Sequence, residues 1–246
     1  MPDLRRIDKR WYVLGAIVVA ALVLNRGGLM GIDWASYAQI PLRFAFLFPA
    51  IILHEVAHGY TAFLLGDPTA KRAGRLTLNP LKHIDPFGTV LLPLLLLFSS
   101  GGRFFFGYAK PVPFNPRYFK DERLGMLLTG IAGPVTNIAL AVVFGLVLRF
   151  WPAYNAAWAP TAFSLVYFFA YANLALAFFN LVPIPPLDGS RVVQWILPDS
   201  LRDAYHGFER YGFIAIIGLT WLVPGLFGWY LSVTVDPLFT LITGLR

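Results

Sequence analysis

The residues best suited to chemistry are His54-Glu55-Val56-Ala57-His58, set inside the long apolar run 40–65. On a helix, positions i and i+4 share a face, so His54 and His58 can offer two imidazole nitrogens to one metal ion. Glu55 then falls on the adjoining face, where its carboxylate can act as general base on water activated by the metal without being a ligand. That division of labour is the zinc hydrolase arrangement. The competing reading is a helix with two satisfied core histidines. Polar groups inside an apolar, membrane-like segment are costly and are usually functional, which favours the metal site.

Two histidines do not complete such a site, because catalytic zinc normally takes three protein ligands and keeps one position open. The chain has no cysteine, so there is no thiolate ligand, no cysteine nucleophile and no disulfide. A carboxylate in apolar surroundings is the natural third ligand, and Asp188 in Asn180-Leu181-Val182-Pro183-Ile184-Pro185-Pro186-Leu187-Asp188-Gly189 meets that description. The prolines break a helix just ahead of it and free the chain to turn. Gly189 relieves crowding at the turn. A solvated Asp188 capping a proline-rich helix end fits the same spacing, and both readings stand at this point. His83 and Asp85 form a second conceivable pair, but their loop setting reads as plain exposed surface.

These residues must be held by apolar helices. Hydrophobic residues make up 57% of the 246, charged residues only 13%, and mean hydropathy is +0.63; an ordinary soluble domain is about a quarter charged. The net charge of +7 sits in clusters beside apolar segments, which points to anionic lipid on the cytosolic side and not to nucleic acid. In order, the pattern predicts a retained first helix over 11–24, a second over 40–65 carrying the histidines, a third over 124–150 and a fourth over 161–181. A further span is expected over 213–230, with a short helix in 231–246. Gly88–Phe98 is too short to cross and lies between two basic segments, so a re-entrant or interfacial segment is expected there. Arg75-Leu76-Thr77-Leu78 alternates like a short strand and could hold an extended peptide by its backbone. Gly130, Gly133, Thr136 and Asn137 mark a close helix–helix approach, with Asn137 as interhelical glue. The fold expected is an all-α membrane protein: a polytopic bundle of about five to six transmembrane helices, with a short re-entrant or β-like segment after the histidine helix, forming one domain over 1–246.

Taken together, His54-Glu55-Val56-Ala57-His58 and the stretch Asn180 to Gly189 resemble the site-2 protease family of intramembrane zinc metalloproteases. Gly66-Asp67-Pro68-Thr69-Ala70, Gly74-Arg75-Leu76-Thr77-Leu78-Asn79-Pro80 and Ala132-Gly133-Pro134 with Asn137 extend the likeness over roughly residues 51 to 191. The resemblance implies one Zn2+ held by His54, His58 and Asp188, Glu55 as catalytic base, and Asn180 holding substrate or the developing oxyanion. It implies cleavage of peptide bonds in or near transmembrane segments of membrane proteins. Nothing in the chain is long enough for the PDZ or CBS domains that many members carry. The partners expected are transmembrane substrates and the lipid bilayer, with no nucleic acid. The location expected is a bacterial-type plasma membrane, with the N-terminus and active-site opening towards the cytosol. The alternatives are a metal-ion transporter and an inactive metal-binding membrane protein. A transporter gives no reason for a glutamate beside the metal and not on it. A protease trimming prenylated C-termini would need a glutamate ligand on a later helix, and Glu122 and Glu209 lack apolar surroundings.

Overall fold

The computed structural model describes residues 34–93, 107–151, 159–223 and 225–245, and every regular element among them is helical. Among the described residues, four helices are long and apolar enough to cross a membrane: Ala45–Leu64, Glu122–Arg149, Ala159–Asn180 and Leu226–Thr243. The expected helix over 11–24 and residues 94–98 of the expected re-entrant stretch lie outside the described residues. The chain divides into two compact units, one of residues 1–42 and 81–110, the other of 43–80 and 111–246.

Helix α1 (Trp34–Leu64) carries the histidines in its part that belongs to the larger unit, residues 43–64. It stops where Gly66 takes a positive φ of 105°, a conformation without penalty only for glycine. Asp67 N–H then bonds back to Ala62 O, and a single turn, α2 (Thr69–Arg72), follows. The expected strand over 75–78 is not there. Its backbone groups are used locally: Arg75 N–H bonds Ala70 O and Gly74 turns at φ 64°. Asn79 N–H reaches the Thr77 hydroxyl, so four alternating residues become a turn.

Helix α3 (Glu122–Arg149) begins at Asp121, whose side chain accepts from Leu124 N–H and satisfies one free amide of the first turn. It packs with α4 (Ala159–Asn180) and α7 (Leu226–Thr243) around Ala141, Leu148, Ala170, Leu174, Val235 and Phe239. Small residues let these helices approach: a Cβ on Gly145 would lie 2.5 Å from Ile242 Cγ2, and close van der Waals packing is what joins apolar helices in lipid. The Arg149 guanidinium donates to Leu241 O at 3.0 Å, tying the end of α3 to an otherwise unpaired carbonyl of α7.

After α4 come the proline-rich turn, α5 (Gly189–Ile196) and α6 (Asp199–Leu222). The span expected over 213–230 is broken: α6 ends at Leu222, Gly225 takes φ 86°, and the last apolar helix is α7. The tail expected as a short separate helix over 231–246 is the main body of that span. In the smaller unit, Asp85 caps a single π turn, Pro86–Leu91, by accepting from Phe87 N–H and Gly88 N–H. Thr89 Oγ1 donates to Tyr108 O, and Lys110 N–H bonds His83 O. His83 is fully buried, which corrects its reading as an exposed loop residue.

Candidate metal centre

One turn of α1 separates His54 from His58, and both are buried against α3. Their rings meet edge to face with centroids 4.6 Å apart, and their Nε2 atoms are 3.0 Å apart. The approach is possible because residue 133 has no side chain. A Cβ there would lie 2.5 Å from both His54 Cε1 and His58 Nε2.

The outer nitrogens of the two rings decide what the inner ones can do. His58 Nδ1 faces Thr129 O at 2.6 Å; a carbonyl only accepts, so Nδ1 carries the proton. For His54 the assignment runs through a relay. Asn173 Nδ2 donates to Phe169 O, which turns Asn173 Oδ1 towards Asn137 Nδ2 at 2.8 Å. Asn137 Oδ1 is thereby left to accept from His54 Nδ1. Both imidazoles therefore present bare Nε2 lone pairs inward, the tautomer that metal ligands need. Asn137 does join α3 to α4, as expected of interhelical glue, and it also orients His54. Asn173 escaped the sequence reading; an amide in the middle of an apolar helix was the available signal.

Asp188 meets this pair from the turn before α5. Its Oδ2 lies 3.1 Å from His54 Nε2 and 3.3 Å from His58 Nε2, yet no hydrogen bond satisfies that buried oxygen. Gly189 permits the turn by close approach, since a Cβ would lie 2.2 Å from Leu181 O. Three electron-pair donors thus converge where only a cation reconciles them. Among the described residues, His54, His58 and Asp188 are the group whose donor atoms all lie within 4.8 Å. A tetrahedral ion with bonds of about 2.0–2.2 Å separates neighbouring ligands by about 3.3 Å, which these spacings approach. The donor set fits zinc.

Glu55 stays off this triangle, and its Oε2 accepts from Val112 N–H at 2.9 Å. The Asn180 amide is engaged within its own helix, its Nδ2 donating to Leu176 O in α4. Asp85, the alternative carboxylate, is engaged as the cap already described.

Known proteins resemble this chain in sequence. A family model, Peptidase family M50, matches residues 152–220. The "Putative zinc metalloprotease YwhC" of Bacillus subtilis is 42% identical over 177 residues, 70% of this chain and 77% of that protein. Rip2 of Mycolicibacterium smegmatis, named in the same terms, is 30% identical over 74% of this chain and 66% of its own length. Rip2 of Mycobacterium tuberculosis is 29% identical over 78% and 74%. No solved structure matches the chain at a significant level. With the His-His-Asp cluster placed and this extent of identity, the chain belongs to peptidase family M50, the site-2 protease type of zinc metalloprotease.

Proposed function

We propose that this protein is an intramembrane zinc metalloendopeptidase, cutting peptide bonds in or near transmembrane segments, with His54, His58 and Asp188 as metal ligands and Glu55 as general base. The observation that carries the reading is the convergence of two bare Nε2 atoms and one unsatisfied carboxylate oxygen, with Glu55 held beside them by a backbone amide. Zinc, when bound, supplies the Lewis acidity that makes water a nucleophile near neutral pH and polarises a peptide carbonyl.

The chain's residues do the rest. Asn137 and Thr129 keep both imidazoles in the ligating tautomer and orientation. Glu55 accepts the proton of the attacking water and delivers it to the amine nitrogen as the C–N bond breaks. Asn180 steadies the substrate carbonyl by exchanging its bond to Leu176 O for one to the substrate. The apolar helices exclude bulk water, so water enters from the membrane face on which Asp188 and the basic segments lie; the reading places that face in the cytosol.

The test is Glu55→Gln, which keeps the side chain's shape and leaves the three ligands untouched. Zinc content of the purified variant stays at one per chain and cleavage is lost. Full zinc with unimpaired turnover would exclude Glu55 as the base.

A further inference from the structure

The extended stretch Lys110-Pro111-Val112-Pro113-Phe114-Asn115-Pro116 lies close to the candidate base, and proline leaves it few backbone donors. Only Val112, Phe114 and Asn115 retain an N–H between Pro111 and Pro116. Two of those three reach carboxylates of the α1 region. Val112 N–H donates to Glu55 Oε2 at 2.9 Å, and Asn115 N–H donates to Asp67 Oδ2 at 2.6 Å. The Val112 side chain seats over Gly59, one turn beyond Glu55, where a Cβ would lie 2.6 Å from Val112 Cγ1.

Asp67 is fully buried, and both its oxygens are used. Oδ1 accepts from Thr69 N–H at 2.9 Å and from the Thr69 hydroxyl, while Oδ2 holds Asn115. Two residues, Pro113 and Phe114, separate the two anchored ones, so the reach is at most about 11 Å, and Pro113 stiffens it. Fixing Asn115 therefore restricts where the Val112 amide can be, and the Val112 amide sets where the Glu55 carboxylate points.

We propose that Asp67 is a positioning residue for Glu55, acting through the strap from Asn115 to Val112. The proposal rests on the reading of Glu55 as general base. A buried amide in place of the carboxylate would have to turn an NH2 towards Asn115 N–H or Thr69, leaving one donor without an acceptor and the strap loose.

The experiment uses the full chain with zinc in detergent micelles and, as substrate, a single-span Leu-rich model helix weakened at one end by Gly and Asn. Zinc content, KM and kcat are measured for Asp67→Asn, Val112→Pro and the double variant. Val112→Pro removes the N–H that Glu55 accepts together with the Val112 methyl groups over Gly59; Val112→Ala, which removes the methyl groups and keeps the N–H, is the control and should retain kcat within about twofold. Asp67→Asn and Val112→Pro are each expected to retain zinc and a KM within about twofold, and to lose about hundredfold in kcat, as a misplacement of about 1 Å does. The double variant should be no slower than Val112→Pro alone, because both changes cut the same link. Unchanged kcat in Asp67→Asn, losses that multiply in the double variant, or loss of zinc would each overturn the proposal. Glu55→Gln separates the two claims: if it is inactive while Asp67→Asn is fully active, the strap alone is wrong. If Glu55→Gln turns over normally, the base assignment itself has failed.

Discussion

At the level of single residues, the metal-facing chemistry is determined by groups that never touch a metal. Phe169 O orients Asn173, which orients Asn137, which leaves His54 Nε2 bare. Asp188 completes the set as the one ligand candidate that brings negative charge. Asp188→Asn is therefore expected to weaken zinc binding as well as abolish cleavage, because a neutral amide is a poor zinc ligand. Asp85→Asn should leave zinc and activity near wild type: asparagine caps a helical turn about as well as aspartate, and Asp85 serves as such a cap. Zinc titration against a chelator, with both variants side by side, checks this. A reversed pattern would move the third ligand to the smaller unit.

At the level of elements, the site depends on how closely α1 and α3 approach. Gly133 and Pro134 are both buried on α3, and the space above Gly133 is filled by the two imidazoles. Gly133→Ala places a methyl group where His54 and His58 now sit. Overpacking of this kind costs typically about 1–3 kcal/mol, and here relief comes only by pushing the rings apart. The expected result is zinc affinity reduced at least about tenfold in a protein that still folds. Gly218→Ala is the matched control on α6, since nothing lies within 4 Å of its Cβ position. It should stabilise the helix by about 0.5–1 kcal/mol and leave zinc binding unchanged. Equal zinc affinity in the two variants would show that the helices tolerate a wider gap.

At the scale of the whole molecule, the four candidate spans among the described residues accompany chemistry that needs water and an accessible peptide carbonyl. A substrate helix hides its carbonyls in its own hydrogen bonds, so it must unwind before it can be cut. Gly lowers helix stability by about 1 kcal/mol and Pro by about 3 relative to Ala. Cleavage of a single-span model helix should therefore quicken as Leu residues near one end are replaced stepwise by Gly or Asn. Uniformly Leu-rich helices cut as fast as weakened ones would show that unwinding does not limit selection. Residues 75–78 form a bend and not the expected strand.

What the sequence by itself determined was local in origin. The i, i+4 spacing of His54 and His58, the apolar runs of α3 and α4, and the proline break before Asp188 all express geometry within a few turns of chain. For that reason they were legible without a fold. The break between α6 and α7 was also written locally, as Pro224-Gly225 inside an apolar run, but continuous hydrophobicity concealed it. Only the tertiary structure brought Asp188 beside His54 and His58, because that depends on a turn being carried back against α1. It alone revealed Asn173 behind Asn137, where the register of α3 against α4 is set by packing. The bond from Val112 to Glu55 had no signature to read, since every residue but proline carries the same backbone N–H.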